Sequence, residues 1–429
     1  MKKEKFIKST IILIIGGLIT KVLGMIIKII MTRLVGLEGI SLYYLIFPTF
    51  ALFMSLSQLS LPVAISKLVS EEKYNNKKLV FSSVPILLIV NITLIALIFI
   101  TAPLISKYLL HDNRSYLPIL AIAFVLPFEA ISNMIRGYFF GKQKMLPHVC
   151  SHVVEQIVRL LLIVLVIPTL IKENVIYAVV FLILVNLLSE LSSSITLILS
   201  LPKNTKIEKK DIIPDKRNIK NILELSIPTT GSRLIGNIGY FLEPIIITFV
   251  LTKLGYENQY IVQEYGIISG FVMPILLLPS FFTNAISQAL IPVISKGYSD
   301  NKINYTKKKL KQGIFISILI GLPVTILFYL FPDLFLKYIY HTNEGISYMK
   351  FLAPVFFLHY LETPLSASLQ AMGKAKETFH ISIKSVLIRS ISLFALLFLN
   401  IGLWGFILSL TLNIIYSTYQ YFKYVKKAL

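Results

Sequence analysis

Charged side chains and cysteines are both scarce in this 429-residue chain. Charged residues make up 15% of it, whereas soluble globular proteins carry about 25%. Hydrophobic residues make up 55%, and the mean hydropathy is +0.77. This small amount of polar surface cannot cover a globule in water, so the composition excludes a soluble protein and indicates lipid as the surrounding solvent. Cys150 is the only cysteine, which excludes a disulfide framework and a cysteine-based metal site.

The motifs of nucleotide-driven pumps and metalloenzymes are also missing. The sequence has no P-loop of the form Gly-x-x-x-x-Gly-Lys-Ser/Thr, which argues against ATP as the direct drive. It has no His-Glu-x-x-His, and its six histidines are scattered. We therefore expect no catalytic residue, no metal site and no cofactor. A coupling ion (H+ or Na+) and the membrane potential both stay open as sources of energy.

Long apolar runs are what the sequence has instead. A helix needs roughly 20 mostly apolar residues to cross the hydrocarbon core, and its backbone amides must be satisfied within the segment. Twelve runs meet this requirement: 9–31, 40–65, 79–104, 115–140, 148–171, 174–201, 221–252, 261–294, 312–332, 346–371, 378–399 and 401–422. The sequence therefore predicts an all-α integral membrane protein with about twelve transmembrane helices.

The basic residues follow the topology that these helices define. With Met1 in the cytoplasm, the inner ends and loops hold 28 of the 42 lysines and arginines, and the outer loops hold six. This asymmetry is the positive-inside rule, and it predicts that both termini are cytoplasmic. The net charge of +21 then reflects topology and some affinity for anionic headgroups, and nucleic acid is not expected as a partner.

Short repeats indicate an internal duplication. The polar stretch 202–220 has six predicted helices on each side, and similar motifs recur about 230 residues apart: 62–67 with 292–296, 141–144 with 373–376, and Arg159 with Arg389. An even number of helices in each half makes such repeats parallel, as in several transporters. We predict an N-lobe at 1–201, a cytoplasmic linker at 202–220 and a C-lobe at 221–429.

Ionisable residues near the middle of the predicted spans need a partner, a wet cavity or a function, because burying a charge in lipid is costly. Two groups are candidates for such roles. The predicted substrate-binding residues are Lys21, Lys28, Arg159, Arg233, Arg389 and Asn237. The predicted coupling or structural acids are Glu129, Glu155, Glu190, Glu243 and Glu362.

Two interpretations of the pair formed by Glu155 and Arg159 stay open. The residues are four apart and share a helix face, so they form either an internal salt bridge or a pair that faces a ligand. Lys21 and Lys28 are seven apart and predict a basic ladder facing a cavity, with snorkelling of Lys28 to the interface as the alternative. Arg136 lies near the predicted cytoplasmic end of its helix, and we interpret it as an interface anchor.

Motifs along nearly the whole chain resemble the stage V sporulation protein B family. They occupy residues 21–24, 37–43, 47–49, 61–67, 136–141, 154–159, 226–237, 242–244, 278–281 and 369–371. This resemblance implies the multidrug/oligosaccharidyl-lipid/polysaccharide exporter superfamily, with two six-helix lobes in a V shape. It also implies two further C-terminal helices in close relatives, and if those helices form a lipid groove there, we expect that feature to be missing here or supplied by a partner.

The resemblance and the buried cations together give the leading functional hypothesis. A guanidinium group can grip phosphate through two hydrogen bonds, so a cationic cavity suits an undecaprenyl-pyrophosphate-linked sugar or peptidoglycan precursor. We expect a flippase that works by alternating access in spore-cortex or cell-wall synthesis, with cell-wall synthesis proteins as further partners. The alternatives are a cation-coupled multidrug exporter and a non-transporting scaffold of a cell-wall assembly complex.

Overall fold

The computed structural model describes residues 2–71, 75–201 and 213–429, which are almost entirely helical and contain no strand. Its helices are α1 (Lys2–Gln58), α2 (Leu61–Ser70), α3 (Asn76–Leu104), α4 (Tyr116–Gly141), α5 (Met145–Glu173), α6 (Val175–Leu199), α7 (Lys216–Lys253), α8 (Asn258–Gly266), α9 (Met273–Leu276), α10 (Ser280–Ser299), α11 (Ile303–Leu330), α12 (Pro332–Tyr340), α13 (Ile346–Ala371), α14 (Ala375–Leu397) and α15 (Trp404–Ala428). Each of the twelve predicted apolar runs is occupied by helix, which confirms the all-α class.

Eight helices within the described residues are long and apolar enough to cross a membrane, or nine when the bent pair Asn258–Leu276 and Ser280–Ser299 is taken as one span. The first of them, Ile15–Ser70, includes most of the predicted run 9–31 and all of the run 40–65. Helices α13 and α15 occupy two more runs with 26 and 25 residues, but they are more polar. All twelve predicted runs therefore contain helix, but length and composition identify only eight or nine membrane spans among the described residues. The orientation of the termini stays a prediction.

Breaks divide the long first helix into shorter segments. Gly36 has φ 66°, a backbone conformation that glycine adopts without steric cost. Leu59 and Ser60 follow α1 with φ 44° and 46°, and α2 begins immediately after them. Arg114 donates from Nη1 to Glu38 Oε1 over 2.9 Å, which ties the segment after Gly36 to the turn before α4. The predicted single helix at 40–65 is therefore two helices with a break between them.

The chain forms two compact units, Met1–Phe241 and Leu242–Leu429. In the first, α1 packs on α4, α5 and α6, and a core cluster joins α2, α3 and α4 with Ile222 of α7. In the second, α13 packs on α10, α11 and α15. Residues 216–220 of the predicted linker are helical, and residues 202–212 lie outside the described part of the chain. The lobe boundaries at 201 and 221 stay predictions.

Helices α2 and α4 approach each other with backbone against backbone. A Cβ atom added at Gly137 would lie 2.7 Å from the carbonyl oxygen of Pro62, and one at Gly141 would lie 2.7 Å from that of Ser66. Only glycine fits at such distances, because neither backbone can move away without shifting its helix. This contact holds α4, and therefore the acidic and basic side chains of α4, at a fixed depth in the N-terminal unit.

Candidate functional site

A cavity of about 490 Å³ lies inside the N-terminal unit, among helices α1, α4, α5 and α6. Its basic, acidic and histidine lining residues are Lys28, Glu129, Arg136, His152, Glu155, Arg159 and Glu190. Three carboxylates therefore face two arginines and one lysine, so the formal charges balance with a neutral histidine. Five of these residues belong to the two sets predicted from the sequence.

Arg136 lies at the centre of the charged network. Its side chain is 3% exposed, and Nη2 donates to Glu155 Oε2 over 2.7 Å, to Ser193 Oγ over 2.7 Å and to Glu190 Oε2 over 3.3 Å. The interpretation of Arg136 as an interface anchor is therefore wrong. Counting residues from the helix end gave its depth but not its direction. Its direction follows from the packing of α4 on α5 and α6, which provide the two carboxylates.

Glu155 accepts hydrogen bonds on both carboxylate oxygens. Oε1 accepts from Arg159 Nη2 over 2.9 Å, and Oε2 accepts from Arg136. His152 Nδ1 also lies 3.1 Å from Oε2. The predicted salt bridge between Glu155 and Arg159 is confirmed, and both residues also line the cavity. The two interpretations left open by the sequence are thus compatible.

Arg159 keeps unused donor capacity. Its side chain is 20% exposed, and its Nε atom has no hydrogen-bond partner among the described residues. Arg136 contacts Glu155 as well as Glu190, so Glu155 keeps one arginine partner when Arg159 turns toward an anion in the cavity. A buried donor without a partner is costly. An anionic ligand that accepts a hydrogen bond from Nε would remove this cost, which makes its free energy of binding more favourable.

The other two acids have different surroundings. Glu129 Oε1 accepts from the side-chain amides of Asn133 (2.8 Å) and Gln58 (3.2 Å), and it forms no ion pair within the described residues. Glu190 accepts from the Ser132 hydroxyl as well as from Arg136. Gln58 is the last residue of α1 before the break at Leu59 and Ser60. A broken helix thus ends beside a buried carboxylate, a combination found at ion sites in transporters.

Aromatic side chains of α1 form an apolar wall that we did not predict as part of the site. The wall consists of Tyr43, Tyr44, Phe47 and Phe50, and the rings of Tyr43 and Phe47 lie 5.6 Å apart between centroids. Positions 43, 47 and 50 share a helix face by their spacing, and this spacing was a signal in the sequence. Gln58 gave no comparable signal, because its role depends on contact with α4.

The other predicted cations lie outside this cavity lining. Lys21 is exposed on α1, seven residues before Lys28. Arg233 is exposed on α7, and Asn237 follows it by four residues. Arg389 belongs to the C-terminal unit. The structure therefore brings Lys28 and Arg159 together, while a substrate-binding role for Lys21, Arg233, Asn237 and Arg389 stays a prediction.

The C-terminal unit has its own buried ion pair. Arg389 Nη2 donates to Glu243 Oε2, and the hydroxyl of Tyr265 donates to the other oxygen over 3.0 Å. Glu243 is 3% exposed. Glu362 accepts from Ser417 Oγ over 2.9 Å and lies 3.5 Å from His359 Nδ1. No cluster of three or more possible metal ligands occurs in the described parts of the chain.

Comparison with known proteins places these features in a family. Residues 6–298 match the polysaccharide biosynthesis protein family, and residues 234–394 match the MatE family. The chain is 33% identical to stage V sporulation protein B of Bacillus subtilis (strain 168) over 440 residues, covering 100% of this chain and 85% of that protein. It is 26% identical to the lipid II flippase MurJ of the same organism over 163 residues, covering 34% and 30% of the two chains.

The fold has a close counterpart among solved structures. An inward-facing multidrug resistance MATE family transporter of the MOP superfamily matches with a TM-score of 0.68 at 16% identity, covering 95% of this chain and 94% of that chain. This agreement confirms a multi-pass membrane fold built from helices. The family match and the full-length relative together establish that the chain belongs to the polysaccharide biosynthesis protein family.

Proposed function

We propose that this protein flips a lipid-linked sugar precursor with a pyrophosphate head group across the membrane, by alternating access. It acts as a transporter and not as an enzyme. The observation that carries the proposal is the shared carboxylate of Glu155. Because Arg136 on α4 holds Glu155 with a second arginine contact, Arg159 on α5 can give its guanidinium to phosphate while Glu155 keeps a cationic partner.

The dimensions and lining of the cavity support this substrate class. A cavity of about 490 Å³ has room for a phosphate group with part of a sugar. Lys28 lines the same cavity and adds a second cation to that of Arg159. The wall of Tyr43, Tyr44, Phe47 and Phe50 offers aromatic faces to apolar or sugar surfaces. In a low-dielectric site a guanidinium–phosphate contact replaces the hydration that the head group loses.

The relatives point in the same direction. The full-length relative is a sporulation protein, and another is named a lipid II flippase. We therefore place the function in peptidoglycan precursor export during spore-cortex or cell-wall synthesis, with cell-wall synthesis proteins as partners. A multidrug exporter that binds cations would favour an acidic cavity, whereas three cations here balance three carboxylates.

We further propose that Glu129 couples transport to a cation. It is 8% exposed and is held by two amides without an ion pair in the described residues. Binding of H+ or Na+ would remove the cost of an uncompensated buried charge. Its contact with Gln58 links this site to the break between α1 and α2.

The decisive experiment reconstitutes the full chain in liposomes with a fluorescent undecaprenyl-pyrophosphate sugar. A membrane-impermeant reagent that bleaches the outer-leaflet label reports how fast the inner pool appears outside. We expect faster bleaching of the inner pool than in protein-free liposomes. Equal rates would contradict flipping, and transport of lipophilic cations alone would favour a drug exporter.

A further inference from the structure

An exposed basic stripe lies on the first turns of α11, in the C-terminal unit. It consists of Asn304, Lys307, Lys308, Lys311, Gln312 and Phe315, which line a groove of about 530 Å³. These positions recur at intervals of three and four residues, so they share one face of the helix. We refer to this set as the lysine stripe.

The opposite face of the same turns packs against the interior of the C-terminal unit. Thr306, Leu310, Gly313 and Ser317 are buried. A Cβ atom at Gly313 would overlap Leu290 of α10 at 2.3 Å, so the helix cannot rotate about its axis without a clash. The lysine stripe is therefore fixed on the surface of the C-terminal unit.

The three lysines of the stripe have no acidic partner within the described residues. The neighbouring Lys302 differs, because it pairs with Asp300 at 3.4 Å. At the start of α3 in the N-terminal unit, Lys78 pairs with Asp215 at 3.5 Å. Among the described residues, no carboxylate therefore neutralises the positive charge at 307, 308 and 311.

The same helix face becomes apolar directly after the stripe. Phe315 is 64% exposed and Leu319 is 63% exposed, and Leu322 and Ile326 continue the face with 43% and 47%. Helix α11 is one of the membrane-spanning candidates. On a membrane-spanning helix such an exposed apolar face suits contact with lipid tails, and the lysines one to two turns earlier then lie at the depth of the headgroups.

We propose that the lysine stripe is a binding site for an anionic phospholipid of the bilayer. The phosphate contacts Lys307, Lys308 and Lys311, and an acyl chain lies along Phe315 and Leu319. Charge complementarity and the continuous apolar face together select a lipid over a soluble anion or an acidic protein segment. This inference is independent of the proposed transport substrate.

Brominated lipids can test the site because the chain has only one tryptophan. The two substitutions Trp404→Phe and Phe315→Trp leave a single tryptophan, which lies at the C-terminal end of the stripe. The full-length variant is reconstituted in phosphatidylcholine with a fixed fraction of dibrominated phosphatidylglycerol, or with the same fraction of dibrominated phosphatidylcholine. We expect phosphatidylglycerol to be selected by about three-fold or more in apparent binding constant, since each lysine near the surface attracts anionic lipid.

The charge dependence decides between a local site and a general surface potential. K307Q/K308Q/K311Q should reduce the selectivity to about one, and Lys→Arg at the same positions should keep it. The matched control K423Q/K426Q/K427Q removes three lysines near the end of α15 and should leave it unchanged. Equal quenching by both lipids in the parent, or equal loss in the control, would overturn the proposal. Loss of selectivity with millimolar inorganic phosphate would assign the stripe to a soluble anion and overturn it as well.

Discussion

Arg136 Nη2 donates to Glu155 Oε2 over 2.7 Å and thereby joins α4 to α5 inside the N-terminal unit. This one bond changes the meaning of the salt bridge beside it. Without Arg136, Arg159 would be the main counter-ion of Glu155. Movement of Arg159 would then leave the buried Glu155 carboxylate without an arginine partner. With Arg136 in place, Glu155 keeps an arginine contact when Arg159 moves, which lowers the cost of the partner exchange that we propose for Arg159.

Replacing Arg159 should impair transport while leaving the fold intact. Arg159→Gln removes the guanidinium from the cavity, while Arg136 and His152 still stabilise Glu155. A charge-assisted hydrogen bond contributes about 1.5–3 kcal/mol, so we expect flipping of the labelled precursor to slow by about 10- to 100-fold. The melting temperature in detergent should stay near that of the parent. The control is Arg217→Gln, at an exposed position of α7, and a wild-type flipping rate in Arg159→Gln would refute the role of Arg159.

Replacing Arg136 should instead damage stability. Arg136→Gln leaves Glu190 without its cation and removes one of the two arginines at Glu155. Breaking a buried ion pair by deleting one partner costs about 3–5 kcal/mol. Thermal unfolding followed by tryptophan fluorescence should show a lower midpoint than for Arg217→Gln. An unchanged midpoint would show that Arg136 is not the structural centre of the network.

Glu129 should control the response to an ion gradient. Glu129→Gln keeps the shape of the side chain but cannot bind a cation or release a proton. We expect flipping by this variant to become insensitive to an imposed pH or Na+ gradient that accelerates the parent. Glu224→Gln is the control, because Glu224 is exposed and pairs only with Lys220 over 3.9 Å in the described residues. A variant that still responds fully to the gradient excludes Glu129 as the coupling site.

The pair of Glu243 and Arg389 allows a structural role to be separated from substrate binding. Arg389→Gln leaves the buried Glu243 carboxylate with the Tyr265 hydroxyl as its remaining hydrogen-bond donor among the described residues, so we expect a clear loss of thermal stability. The double variant Glu243→Gln with Arg389→Gln removes both charges and should recover most of that stability. If Arg389 also binds substrate, the double variant will be stable but slow in the flipping assay. A stable double variant with normal flipping removes Arg389 from the predicted substrate-binding set.

The contact between α2 and α4 provides a test of packing. Gly137→Ala places a methyl group 2.7 Å from the backbone oxygen of Pro62, and relieving such overpacking costs about 1–3 kcal/mol. We expect a lower thermal midpoint and, because Glu129 and Arg136 move with α4, slower flipping. Gly236→Ala is the matched control, since its Cβ would meet no atom within 4 Å. Equal midpoints for the two variants would contradict the close approach of the helices.

The sequence predicted those parts of the site that depend on local geometry. Glu155 and Arg159 pair because residues four apart on a helix are always neighbours, so no tertiary information was needed. Gln58 and Arg136 were missed because each meets its partner across an interface between helices. The break at Leu59 and Ser60 was missed as well, since neither residue is a glycine or a proline.

The amino-acid sequence alone determined that this chain is a membrane protein, that it is helical and which positions of the hydrophobic runs carry charged residues. The reason is that hydrocarbon forces each spanning segment to satisfy its own backbone hydrogen bonds, so composition and run length are sufficient. Only the tertiary structure decided which charges share a cavity. The close contact of α4 with α2 and its packing on α5 and α6 aim Arg136 at two carboxylates. Direction and partner are properties of helices packed together, and no single helix encodes them.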